Sequence, residues 1–140
     1  MPISTFYGKR MMDHLFINDP IPSPTTVHVG LCRSVGGLDD GSPTNEVSTL
    51  NTGYSRPLAQ LGAADNQLKS VSGGPIIFPV AEVDWGTVTH IALLDADIHG
   101  NVIAWVELSA DKIREIKKSD QYIIPAGALT VQMLTECVVE

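Results

Sequence analysis

The sequence predicts an all-β protein, a sandwich or barrel of short strands, preceded by one short helix. Turn signals recur about every eight to twelve residues, the spacing of antiparallel sandwiches and barrels. The 140 residues include 12 Gly and 9 Pro, and 44% are hydrophobic while only 18% are charged, which suits a packed core and argues against a disordered chain. Only the N-terminal stretch repeats its apolar residues at helical spacing.

The strongest strand signal follows the turn Asp84-Trp85-Gly86 and runs over 87–95, where Val88, Ile91, Leu93 and Leu94 supply the apolar, partly β-branched content of a central strand. Trp85 carries roughly 150–250 Å² of surface, on the order of 4–6 kcal/mol when fully buried, and is expected to anchor the start of that strand in the core. Asp97-Ile98-His99-Gly100-Asn101 reads as a hairpin loop returning through 102–108, with Trp105 expected in the core.

In chain order, Ser4 or Thr5 can cap a helix in which Phe6, Tyr7, Met11, Met12, Leu15 and Phe16 recur, and Asn18-Asp19-Pro20 stops it. Two roles suit this helix, a lid over its own core or a peg into a partner, since Met and aromatic side chains adapt to irregular surfaces. Ile21-Pro22-Ser23-Pro24 is an extended linker. Residues 26–32 alternate, with Val27, Val29 and Leu31 on one face and Thr26, His28, Gly30 and Cys32 on the other, a strand with one buried face and a surface or interface histidine. Residues 34–52 read as a mobile acidic loop, of the kind that often carries binding.

Beyond it, Gly53–Ala59 is extended, with Pro57 confining it to a sheet edge. Strands are expected at 67–72 and 76–79, between the turns 63–66 and 73–75. Ser109–Lys118 is ambiguous between a helical turn and a solvated strand or loop, and holds four of the nine Lys and Arg residues, Lys112, Arg114, Lys117 and Lys118. Residues 121–125, the turn 126–128 and 129–134 close the domain, with Leu129, Val131 and Met133 on one face. The organisation is an N-terminal helix and arm, 1–20, on a β-sandwich of 21–140, a single domain able to remove about two-thirds of its unfolded surface from water.

The net charge of −7 argues against nucleic acid and anionic membranes as partners, since both require a basic face. Cys32 and Cys137 form no C-x-x-C pattern and are read as free, buried thiols. The N-terminus lacks a signal-peptide core and no apolar run reaches about 18 residues, so synthesis in a cytoplasm without membrane insertion is expected. No nucleophile motif, metal-binding helix motif or phosphate loop is present. Asp39-Asp40-Gly41-Ser42 lacks the alternating ligands and distal Glu of a calcium loop. His14, His28, His90 and His99 could converge only through the fold, and His90 reads as structural. No catalytic, metal or cofactor residue is assigned, and no enzymatic activity is expected.

The chain resembles a family of small structural proteins of tailed bacteriophages. The residues that carry the likeness are Gly53-Tyr54-x-Arg56, Phe78-Pro79-x-Ala81 leading into Trp85–His90, Trp105 and a following Leu, and Ile124–Val131 after a polar turn. The helix segment Met11–Phe16 and a proline-containing connection into the first strand also match. Two departures stand out: Lys118-Ser119-Asp120 replaces the usual glycine before that Asp, and Thr135–Glu140 extends past the pattern. Members are often labelled tail-fibre-like, and their size and β-rich character are similar to the cementing or decoration proteins of phage heads.

The resemblance implies a jelly-roll-like antiparallel β-sandwich with a short N-terminal helix. It implies a non-enzymatic virion protein on the capsid exterior, assembled in the bacterial cytoplasm, that binds the major capsid protein lattice and stabilises it, itself a homo-oligomer, dimer or trimer. The alternatives are a tail or tail-fibre component, or a carbohydrate-binding jelly roll whose cleft Trp85, Trp105, His90 and Asp95 would line. Candidate contacts are Phe6, Tyr7, Met11, Met12 and Leu15 on the helix, Asp39 and Asp40 in the loop, and Lys112, Arg114, Lys117 and Lys118. The expected core comprises Tyr54, Phe78, Trp85, Ile91, Leu93, Trp105 and Val131.

Overall fold

The computed structural model describes Met1 and residues 3–21 and 26–133. The linker prolines Pro22 and Pro24, and the tail 135–140 with Cys137, lie outside the described residues. Ser4 starts the helix: its backbone is extended (φ −64°, ψ 151°) and its hydroxyl accepts the Tyr7 N–H at 3.2 Å, satisfying one of the orphan donors of the first turn. The same hydroxyl donates to the Val102 carbonyl at 2.6 Å, and the Ser4 N–H to Ile103 at 2.7 Å, so the cap also fastens the helix to the sheet. Helix α1 spans Thr5–Ile17 and ends at Asn18, left-handed at φ 57°; Pro20, two residues on, cannot continue it.

Among the described residues nine short strands follow: β1 (His28–Cys32), β2 (Lys69–Val71), β3 (Ile76–Ile77), β4 (Gly86–Val88), β5 (His90–Leu94), β6 (Val102–Glu107), β7 (Arg114–Ile116), β8 (Ile123–Ile124) and β9 (Thr130–Gln132). They form a three-stranded sheet in the order β1-β5-β6 and three two-stranded ladders, β2-β9, β3-β8 and β4-β7, all antiparallel. The fold is therefore mostly β with one short helix; these ladders do not draw the two large sheets of a jelly roll. The expected hairpin is present as β5-β6. Its register slips between Leu93, opposite Ala104, and Leu94, opposite Val102, leaving Ile103 as the extra residue of a bulge.

The single strand expected over 87–95 is instead two, in different sheets. The chain pivots at Thr89, whose N–H bonds Cys32 and whose carbonyl accepts from Leu108. Upstream, Gly86 takes φ 89°, a conformation open to glycine at no steric cost, and residues 86–88 turn away to pair with β7. Residues 114–116, ambiguous in the sequence, are strand because β4 supplies them with a partner.

Both faces of the three-stranded sheet are covered, which corrects the reading of β1 as half-solvated. Val29 and Leu31 of β1 with Ile91 and Leu93 of β5 face a large cluster that includes Tyr54, Phe78 and Trp85. Cys32, Ala92 and Leu94 face a smaller cluster with Val102 and Leu38. His28 is consequently buried, its ring hydrogen-bonding Thr26 Oγ1 at 2.9 Å. The segment 34–52 packs on the sheet at two places: buried Leu38 covers that second face, while buried Val47 belongs to the large cluster and runs along the edge of β1, where Val47 N–H bonds Leu31 and Arg33 N–H bonds Asn45. The expectation of a mobile loop is thus overturned by two isolated apolar residues within a polar stretch.

Tyr54, Phe78, Trp85, Ile91 and Leu93 are buried as expected, but Trp105 and Val131 are only half-buried. Trp105 lies on the second face against the smaller cluster, with too few apolar partners there to enclose an indole. Val131 packs on the rim of the large cluster from a three-residue edge strand.

Candidate functional site

The N-terminal turn of α1, the 34–52 segment and β6 meet at one corner. Asp39 there accepts the Thr5 N–H at 3.1 Å, the Thr5 hydroxyl, and the Trp105 indole N–H at 3.2 Å. The Thr5 hydroxyl bond, with the Thr5 backbone and Trp105 bonds behind it, holds the Asp39 carboxyl below its ordinary pKa, because each favours the carboxylate. Tyr7, the one buried residue of α1, passes its hydroxyl to Asp95 Oδ2 at 2.6 Å. Burial first, then the hydrogen bond and charge of Asp95, push that phenol up to about 12.

With only its first turn anchored, the helix leaves its far side outward. Met12, Leu15 and Phe16 are 60%, 71% and 76% exposed, while Phe6 and Met11 are half-buried. Of the helix residues nominated from sequence, Met12 and Leu15 are therefore open to a partner, Tyr7 is an internal fastening, and Phe6 and Met11 sit between. Asp39 also turns inward to Thr5 and Trp105; Asp40 is exposed.

Lys112, Arg114, Lys117 and Lys118 are all exposed on and around β7. The structure does not make them a purely basic patch. Asp120 accepts the Lys117 N–H at 3.0 Å and Asp84 the Lys118 N–H at 2.8 Å, while Asp111 and Glu115 stand between the cations in sequence. Four carboxylates thus interleave with four cations, and the field beyond a Debye length is small.

The sequence reading missed a polar clamp. Arg56 donates from Nε to Glu46 Oε1 at 2.8 Å and from one terminal nitrogen to Oε2 at 2.6 Å; the other terminal nitrogen donates to the carbonyls of Ala96 and His99 at 2.9 and 2.7 Å. Tyr54 Oη donates to Glu46 Oε1 at 2.6 Å and accepts the Leu31 N–H at 3.0 Å. Burial alone would lower the Arg56 pKa, but the hydrogen bonds and charge of Glu46 outweigh it and hold it above the ordinary value. Burial, then the Glu46 charge, drives the Tyr54 phenol well up. The signal for this clamp was Tyr54-x-Arg56, which resemblance picked out but local pattern could not connect to Glu46.

Beside the clamp lies an open polar groove of about 410 Å³, lined by Thr44, Glu46, Ser48, Arg56, Asp97 and His99 among others. Trp85 and Trp105 line no common cleft: Trp85 is 2% exposed in the large cluster and Trp105 belongs to the smaller one. Among the described residues no three His, Cys, Asp or Glu side chains are arranged to hold a metal ion, and no helix is long and apolar enough to cross a membrane.

A small β-rich module whose exposed helix faces outward is the class of protein these features define, one built from packing and clamps. A family model described as Podophage GP4 fiber I protein gp80 matches residues 2–132. The chain belongs to that family, and is a structural protein of the bacteriophage virion. No curated protein matches it.

Proposed function

We propose that the chain is a non-enzymatic subunit of the particle's fibre apparatus, held to neighbouring subunits by contacts and not by a cofactor. The observation that carries this reading is the match of residues 2–132 to a podophage fibre protein. The clamp adds physical support: Arg56 ties the 34–52 segment, the 53–59 edge and the β5-β6 hairpin loop together, the rigidity that a load-bearing virion part requires. The net charge of −7 favours a protein partner over nucleic acid or an anionic membrane.

A second reading, a decoration protein on the capsid exterior that binds the assembled lattice, is favoured by shape. Among the described residues the longest strand is six residues, in β6, and no repeated element of a shaft is seen. Binding to the lattice but not to free capsid subunits would stabilise heads by mass action. Separating heads from tails of purified virions and counting this chain by mass spectrometry decides between the two. A few copies with the tails sustain the fibre reading. Copies with the heads, in proportion to the major capsid protein, replace it with decoration, and absence from both fractions removes both.

A further inference from the structure

We propose that the polar groove beside the Arg56 clamp is a binding site for a neutral saccharide. One wall is the 42–49 strip of the segment that packs on the sheet, the other is the 97–100 loop of the β5-β6 hairpin, and the Glu46–Arg56 pair lies between them. At about 410 Å³ the groove falls toward the small end of the roughly 300–1,000 Å³ of small-molecule sites, with room for a mono- or disaccharide. The assignment concerns the chemistry of the groove and holds whether the chain sits on a tail or a head.

The buried pair keeps hydrogen-bonding capacity that the chain does not use. A guanidinium has five N–H donors. Nε and one Nη2 hydrogen go to Glu46, and Nη1 serves the Ala96 and His99 carbonyls. One N–H on Nη2 is therefore left over among the described residues, on a side chain 7% exposed. Glu46 Oε1 accepts from both Arg56 Nε and Tyr54 Oη, whereas Oε2 accepts from Arg56 Nη2 alone, at 2.6 Å, and retains a lone pair. A donor and an acceptor side by side match a hydroxyl group, which accepts from the one and donates to the other.

Charge and surface along the walls select a neutral polyol over other ligands. Glu46 and Arg56 cancel, so Asp97 is the uncompensated charge among the lining residues; it repels phosphates and carboxylates and offers a charge-assisted acceptor to vicinal hydroxyls. The hydroxyls of Thr44 and Thr49, both exposed, donate and accept as a sugar does. Ile98, 64% exposed, gives apolar surface to the C–H face of a ring. No aromatic ring lines the groove, so it is not the cleft expected of Trp85 and Trp105, and hydrogen bonds carry an affinity expected near millimolar. The walls are also held in advance: Ser42 and Thr44 N–H bond the Gly37 and Gly36 carbonyls, and Asp95 accepts the Asn101 N–H at 2.7 Å on the far side of the loop that Arg56 grips. A preformed groove avoids the ordering cost that would abolish so weak an affinity.

Amide chemical shifts of the isotope-labelled full chain, titrated with D-glucose, D-galactose, D-mannose, L-rhamnose and N-acetyl-D-glucosamine at millimolar concentration, read the site. At least one of these sugars is expected to bind saturably and to shift the amides of 42–49 and 97–100. Asp97→Ala is expected to weaken that sugar about tenfold, since bonds to a charged acceptor are the stronger ones, and to melt at the parent temperature because Asp97 is exposed. Thr49→Val is expected to weaken it about threefold, again without a change in melting. The methyl glycoside of the bound sugar separates two sources: equal affinity assigns the groove to a sugar unit within a glycan, and exclusion of the glycoside assigns it to the free sugar. Silence of all the sugars, shifts centred on other residues, an Asp97→Ala chain that binds as tightly as its parent, or displacement of the sugar by inorganic phosphate would each overturn the proposal.

Discussion

The two tryptophans stand on opposite faces of the same three-stranded sheet, and the faces are not equivalent. Trp85 is enclosed among Tyr54, Phe78 and the β5 aliphatics; Tyr54 meets it edge-on at 5.4 Å between ring centroids, and its indole N–H donates to the Thr52 carbonyl at 2.8 Å. Trp105 packs half-buried on five small or medium residues and gives its N–H to the exposed carboxylate of Asp39. One face is held by apolar burial and the other by a thin apolar layer reinforced with charged and polar fastenings, Glu46–Arg56, Tyr7–Asp95 and Asp39–Thr5, with the Tyr54 hydroxyl reaching Glu46 from the large cluster. A sheet packed on both sides by different means separates a rigid interior from a face where the helix and the 34–52 segment can meet neighbours.

The comparison breaks most visibly at the tryptophans themselves. Trp85→Ala is expected to cost about 3–5 kcal/mol, leaving a large cavity in the dense cluster, and to give insoluble or molten protein. Trp105→Ala, which removes a half-exposed ring, is expected to cost about 1–2 kcal/mol and to melt cooperatively. Equal losses in urea unfolding would show that the two faces contribute alike.

Arg56→Met tests the charged fastening. The Arg56 and Glu46 side chains are 7% and 15% exposed, and removing the cation leaves a buried carboxylate whose other side-chain partner among the described residues is Tyr54. The expected cost is about 3–5 kcal/mol, most of it regained in the double variant Arg56→Met, Glu46→Met, because a buried pair is far worse broken than absent. A double variant as unstable as the single one would mean that the clamp's net contribution, and not the orphaned charge, holds the second face.

Alkaline pH sharpens the same contrast. Cys32 lies in the second-face cluster, and burial first, then the charge of Glu46, raises its thiol from 9.0 to about 12. A raised pKa means the protonated thiol is favoured by folding, so this stability is fully present below pH 9 and lost progressively as pH climbs toward 12. Tyr7, raised from 10.0 to about 12, adds a loss that starts a unit later. Two units into the Cys32 window the expected loss is on the order of 3 kcal/mol. Urea midpoints of Cys32→Ala should begin to fall only near the onset for Tyr7; an onset unmoved by that change would place the sensitive group elsewhere.

What the sequence made legible follows the range over which each interaction acts. The Ser4 cap, the Asn18-Asp19-Pro20 stop, the β5-β6 hairpin and the burial of Trp85 were readable because each is decided within a few residues by capping, backbone freedom or a dense apolar run. The ladders β2-β9, β3-β8 and β4-β7 were not, since their two- and three-residue strands lie far apart in the chain and have no periodicity of their own. The same distance hid the partnership of Glu46 with Arg56. Leu38 and Val47 were submerged in a polar stretch, so residues 34–52 read as a loop rather than a layer. At the candidate site, the helix residues and the loop acids were nominated together, because a partner inside the chain cannot be seen along it; Met12 and Leu15 lie exposed, whereas Tyr7 and Asp39 bond inside the chain.

The smallest effect expected has the opposite sign. Ser119 lies at φ 76°, left-handed backbone that costs a residue with a Cβ about 1–2 kcal/mol. The turn gives it no choice: its N–H bonds Ala81 at 2.7 Å, and the next N–H, of Asp120, bonds Lys117 at 2.9 Å. Ser119→Gly removes the steric cost but adds freedom to the unfolded chain, which takes back roughly 0.4–1 kcal/mol. The net expectation is a gain of about 0.5–1 kcal/mol, read as a higher urea midpoint with unchanged slope. The turn borders the large cluster, through Ala81 and the β7-β8 connection, yet its relief should be small, because that face draws its stability from Trp85 and its neighbours and not from its loops. A loss of stability on Ser119→Gly would show that the serine hydroxyl, and not the backbone, is what holds this turn.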